Sequence, residues 1–240
     1  MIKRGNKQGS HVAVVISFVI FVTFMVFLYS MARSSVNPEE KENSLVESLK
    51  AKLINEASAE LITITVNFSR NSGINCIELN GLSSKFGITP RIIVKNQNQT
   101  TTDAALNGDD LRINRITRED KFFKVYNSPE FSATSTSSWN CEEFNEFTHY
   151  TVGLVKTEEY VFEEKILDLI NNYNNYENMK EYLKIPEGSE FGLGFIYENG
   201  TSTNVEIKDV TADIYVKEEP VQYVSRQGDI STGFLRVMVW

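Results

Sequence analysis

Polar residues almost vanish from residues 12–31, VAVVISFVIFVTFMVFLYSM, where only Ser17, Thr23, Tyr29 and Ser30 interrupt the apolar run and no charge occurs. At 1.5 Å per residue a run of this length covers the roughly 30 Å hydrocarbon core of a bilayer. Inside lipid, only a helix satisfies every backbone N–H and C=O within its own segment. The pattern therefore predicts one transmembrane helix. The competing reading, a helix in a soluble core, fits less well because such helices rarely stay apolar on every face for so long.

Beyond the run the period changes. Asn37-Pro38-Glu39-Glu40 has the form of a helix start, with Asn37 as N-cap, Pro38 in the first turn and Glu40 reaching back, so the anchor helix is expected to break between Ser34 and Asn37. Leu45, Leu49, Leu53, Ala57 and Leu61 then recur every four residues, joined by Val46 and Ile54, which predicts an amphipathic helix over residues 38–60. At residue 62 the pattern becomes alternating: Ile62, Ile64, Val66 and Phe68 against Thr63, Thr65 and Asn67, a half-buried strand. Short β-branched or aromatic runs at 74–79, 91–95, 111–116, 122–126 and 150–155 predict further strands, with polar loops at 96–107 and 132–138.

Residues 158–183 return to helical spacing and are interrupted by Asn171, Asn172, Asn174 and Asn175, which predicts two short helices. A second strand group follows at 190–197, 204–208, 212–217, 221–225 and 233–240. The apolar end at Trp240 is expected to be paired into a sheet. The chain thus divides into a basic leader (1–11), a transmembrane helix (12–31), an amphipathic helix (38–60) and an exterior α+β domain (61–240) with a helix pair between two strand groups. No other run approaches spanning length, and no fixed-period repeat occurs.

Charge gives the orientation. Lys3, Arg4 and Lys7 precede the apolar run, and Arg33 alone follows it before Glu39, Glu40 and Glu42. The positive-inside bias keeps the leader in the cytoplasm and places the rest outside the cell membrane, a type II single-pass topology with the lipid bilayer as first partner. Signal cleavage after Ala32 competes, although the apolar core exceeds the roughly 7 to 15 residues of a signal peptide. The whole chain carries 24 basic and 32 acidic residues; the first 33 hold four of the basic ones, leaving the exterior part at −12. Such a surface repels phosphate backbones and argues against nucleic-acid binding.

Cys76 and Cys141 share the exterior compartment, where a disulfide is permitted; one bridge and two independent buried thiols both fit. Asn67, Asn98 and Asn199 each begin an Asn-X-Ser/Thr sequon, and the loop-like settings of Asn98 and Asn199 suit a glycan acceptor better. Catalysis has little support: His149 is the one exterior histidine, and no nucleophile, zinc, P-loop or dinucleotide motif occurs. Cys141 and His149 read as a structural thiol beside an ordinary histidine, and Asn107-Gly108-Asp109-Asp110 as a solvated turn rather than a calcium loop. The pairs Glu158-Glu159, Glu163-Glu164 and Glu218-Glu219 point apart on either helix or strand, so they give no acid/base site. No metal, cofactor or catalytic residue is assigned.

The order Lys3-Arg4-Gly5, apolar helix, amphipathic continuation and β-rich exterior domain resembles type IV pilins and the pilin-like membrane proteins of archaea. That resemblance covers the first 60 residues. It implies a non-enzymatic surface component, with leader cleavage after Gly5 or Gly9 and assembly with like subunits or other envelope proteins. A monomeric anchored module that binds an envelope partner or ligand is the alternative, because one sheet packed on the Leu45-to-Leu61 stripe accounts for its burial without a neighbour.

Overall fold

With no charge between His11 and Met31 the N-terminal run forms α1 (Gln8–Ser34), whose large apolar side chains from Val12 to Met31 face outward rather than into a core. In this computed structural model the described residues are 8–34, 38–69, 75–114, 120–135, 139–206 and 213–240. They divide into two units, Met1–Leu45 and Val46–Trp240. The predicted break at 35–37, with its Asn37 cap, lies outside the described residues. α2 (Pro38–Ala57) contributes Val46, Leu49, Leu53 and Ala57 to the core of the second unit.

The helix is shorter than its stripe predicts. Residues 58–60, expected to be helical, begin β1 (Ser58–Phe68). Ser58 Oγ donates to Ile54 O at 2.7 Å and closes the helix end, while Ser58, Ala59 and Glu60 pair with Val161, Tyr160 and Glu159. Pairing with a distant strand overrides the local period.

Among the described residues thirteen strands form two sheets. The smaller contains β2 (Cys76–Leu79), β5 (Ala104–Asn107), β6 (Asp110–Asn114) and β8 (Glu142–Phe144), in the order β5-β6-β2-β8. The larger adds β3 (Ile92–Asn96), β4 (Thr101–Thr102), β7 (Phe122–Asn127), β9 (Tyr150–Phe162), β10 (Phe191–Ile196), β11 (Ser202–Asn204), β12 (Tyr215–Val224) and β13 (Ile230–Val239). Its order is β11-β10-β13-β12-β9-β1-β7-β3-β4. The alternation read from β1 has its expected effect: Ile64, Val66 and Phe68 are buried, in one cluster with Ile77, Leu79, Leu111, Ile113, Phe123, Val125 and Phe144. The small sheet packs on that face. A second cluster, Leu61, Tyr126, Phe131, Phe162 and Val224, lies apart from it.

Several expectations need correction. The predicted polar loop at 96–107 contains β4 and β5, held by β3 and β6. Predicted strands 212–217 and 221–225 are one strand, β12, which runs through Pro220 opposite Phe234. Proline is tolerated there because β12 meets β9 only at Tyr223 and Val224, which leaves the rest of that edge without a ladder to lose. Residues 158–162, expected to start a helix, extend β9 instead. α4 (Glu163–Asn172) begins with the acidic first turn Glu163-Glu164, a tight 3-10 turn occupies Tyr173–Asn175, and α5 (Tyr176–Tyr182) follows. The short helix α3 (Leu82–Phe86), which follows β2, had no periodic signature. Residues 74, 115–116, 136–138, 207–208 and 212 of the other predicted segments lie outside the described residues.

The long β12–β13 hairpin reaches across to β3. Gly228 turns at φ 72°, and a Cβ there would meet Ile93 at 3.2 Å. Next to it Asp229 pairs with Lys95, which is 2% exposed.

Candidate functional site

Cys76, at the start of β2, and Cys141, just before β8, form a disulfide with a Cα separation of 4.5 Å. Parallel pairing of Ile77 with Glu142 sets this approach. The bond removes Cys141 from any nucleophile or zinc reading, and His149 Nδ1 accepts from the Asn145 N–H at 3.1 Å. The sequon residues do not converge. Asn67 is exposed on β1, Asn98 is exposed in the β3–β4 turn, and Asn199 is exposed in the β10–β11 turn, where its Oδ1 accepts from Thr201 N at 2.9 Å.

Asn107-Gly108-Asp109-Asp110 is a tight hairpin turn. The Asp110 carboxylate accepts from Gly81 N at 2.7 Å and Asn107 Nδ2 donates to Glu78 Oε1 at 2.8 Å. Burial pushes the Glu78 carboxyl up, but the hydrogen bonds from Asn107 and Arg112 outweigh it and hold the group below its ordinary value. These acidic groups fasten strands together, and no cluster of three metal-ligating side chains occurs among the described residues.

A roomy arrangement lies between the helix pair and the β11 edge of the larger sheet. It is a cleft of about 730 Å³ lined by Ile170, Tyr173, Tyr176, Glu177, Glu190, Asn204, Glu206 and Trp240, among others. Its floor is an aromatic stack: Tyr176 lies parallel to Phe191 at 5.3 Å between ring centres, and Tyr173 meets both edge-on. Tyr173 Oη donates to Phe191 O at 2.6 Å, Tyr176 Oη donates to Glu190 Oε2, and Phe191 N donates to Tyr176 Oη at 3.1 Å. Lys180 Nζ donates to the other Glu190 oxygen at 2.8 Å. Glu190 and Trp240 exchange backbone hydrogen bonds, which carry the sheet to the cleft wall. Gly194 lies under Asn204, where a Cβ would collide with the amide.

Electrostatics follow from these contacts. Lys180, then Tyr176, holds the Glu190 carboxyl below its ordinary value. Burial, with Glu190 adding to it, pushes Tyr173 up to about 12, and Tyr176 is raised for the same reasons. At neutral pH these contacts keep the Glu190 carboxylate charged and the two phenols neutral. Two smaller hollows, of about 410 and 490 Å³, adjoin Arg91, whose Nη1 is committed to Pro129 O and Phe131 O at 2.6 and 2.9 Å.

The two short helices predicted within residues 158–183 took in Tyr173 and Tyr176, but the sequence gave no sign of Glu190, Asn204 or Trp240 as their neighbours. Nothing but the order of the sheet brings those together. In fold class this is an α+β chain with an apolar N-terminal helix and a β-rich domain, and it matches no known family, characterised protein or solved structure.

Proposed function

We propose that the protein is a non-enzymatic, membrane-anchored surface component, pilin-like, with α1 in the bilayer and the second unit outside the cell membrane. The observation that carries the reading is the length and unbroken apolarity of His11–Met31, with no packed core around it. The Cys76–Cys141 bridge supports an exterior setting, because disulfides persist in oxidising compartments. The leader remains cytoplasmic, and like subunits or other envelope proteins are the expected partners.

Protease added to intact cells removes the second unit and spares the leader if the topology is right; a protected C-terminus overturns it. Sequencing the mature N-terminus tests the pilin-like part. A new terminus at Asn6 or Ser10 supports processing by a prepilin-type peptidase. An intact Met1 or Ile2 leaves a plain anchor, and a terminus at Arg33 replaces the anchor with a cleaved signal.

The aromatic cleft favours a second reading, a monomeric anchored module that binds a ligand through Tyr173, Tyr176 and Trp240. Its size suits a small molecule or one side chain of a partner. Titration with candidate ligands, monitored at the Trp240 indole, tests it.

A further inference from the structure

The charge of the cleft narrows what can enter it. Three carboxylates, Glu177, Glu190 and Glu206, line it, and among the described residues the one cation beside them is Lys180, which is committed to Glu190. Glu190 is neutralised by Lys180, whereas Glu177 and Glu206 have no ion pair among the described residues. The tyrosine O–H groups are turned into the floor, onto Phe191 O and Glu190, so they leave aromatic surface rather than acidic protons. A phosphate, carboxylate or nucleotide would meet unscreened like charge there.

The wall already holds one ammonium. Lys180 Nζ sits 2.8 Å from Glu190 Oε1 and 5.8 Å from the centre of the Tyr176 ring, a carboxylate and an aromatic ring together. Glu177 and Glu206, with Tyr173 and Trp240, add the same two kinds of group to the lining.

We propose that the cleft binds an organic cation, a primary ammonium or guanidinium on a short apolar stem. The proposal rests on the second reading above, that the domain takes a ligand at this cleft. The charged head lies against Glu177 and Glu206, and the stem crosses the aromatic lining beside Ile170. Two sources supply this chemistry: a free polyamine, and a lysine or arginine side chain of a partner segment.

The test uses the full chain in uncharged detergent, observed by NMR at the Trp240 indole N–H. The probes are n-butylammonium and its neutral counterpart n-butanol, then spermidine and a Gly-Lys-Gly peptide. Butylammonium is expected to bind and butanol to bind at least about tenfold more weakly, with added salt weakening the ammonium alone. The double variant Glu177→Gln/Glu206→Gln is expected to lose about tenfold in ammonium affinity while butanol is unaffected, since both side chains are exposed and carry no fold contact described above. Tighter binding of the peptide assigns the site to a partner segment, and tighter binding of spermidine to a free polyamine; both support the class. Equal binding of butanol and butylammonium, or an unchanged double variant, overturns the cation and leaves a neutral ligand site. Absence of binding by every probe overturns the ligand reading with it.

Discussion

The two halves of the second unit solve the same problem differently. From β1 to β8 a small sheet lies on a large one, the buried cluster is continuous, and a disulfide ties the two parallel strands β2 and β8. From α4 to β13 a sheet is covered by short helices, no crosslink occurs among the described residues, and the cover is attached by the buried Ile166, Met179 and Leu183 together with the polar contacts of Tyr173, Tyr176, Lys180 and Glu190. Both interiors are filled, the second by Phe191, Leu193, Phe195 and Val237 among others; the second differs in the aromatic cleft beside its polar fastenings, larger than the hollow beside Arg91 in the first. Dense apolar packing fixes a fold, while polar fastening around an opening leaves surface able to engage something else.

The largest expected effect comes from breaking the first half. The bridge closes a separation of 65 residues, and in the chain-entropy model its loss costs about 4 kcal/mol. Denaturant unfolding of a Cys76→Ser/Cys141→Ser variant should show an unfolding free energy lower by that amount. Unchanged stability would mean that the halves do not differ in the way described.

An intermediate effect is expected at the link between the halves. Asp229, at the hairpin tip, pairs with buried Lys95 on β3, so Asp229→Ala leaves an ammonium with 2% exposure uncompensated. Discounting for the exposed side of the pair, the cost should be about 2 kcal/mol. Lys95→Met in the Asp229→Ala background should recover most of it, as measured by thermal or denaturant unfolding.

The smallest effect is a pH dependence. Burial pushes Tyr150, which starts β9 and lies in the buried cluster of the first half, and Tyr173 in the second half up to about 12. The folded chain keeps these phenols neutral while the unfolded chain ionises them near 10, so this stability is complete below pH 10 and falls as pH rises toward 12. Glu190 has the opposite sign: its lowered value gives stability present above 4.5 and lost as pH falls through the folded value. Glu78 gives the first half an acid-sensitive contact of the same sign, so tyrosinate absorbance should follow the phenols while stability at acid pH, compared between Glu190→Gln and Glu78→Gln, should show each variant losing part of the acid dependence.

Much of this division was legible in residue patterns. The alternation at Ile62 to Phe68 identified a core strand, and the run ending at Trp240 identified a paired one, because both sets of side chains carry enough burial to dictate their own structure. Thr101–Thr102 and Ala104–Asn107 could not be read in the same way. They are too short and polar to be strands alone and owe their form to β3 and β6. Val161 and Phe162 suited a helix as well as a strand, and only the partners Ser58 and Val224 decide for the strand. The cleft was least legible. Tyr173 and Tyr176 are neighbours in sequence, but Glu190, Asn204 and Trp240 reach them through strand order, which no local period encodes.

The junction of α2 with β1 has a mechanical consequence. Ala57 ends the helix and Ser58 begins the strand, with no slack between them. β1 is laddered on both sides, to β7 over Ile62–Asn67 and to β9 over Ser58–Phe68, by antiparallel bonds that lie across its axis. A pull along β1, delivered from the helix, therefore loads both ladders in shear instead of peeling them one bond at a time. Tension entering from α2 is met first by a strand that lies inside the nine-stranded sheet rather than at its edge.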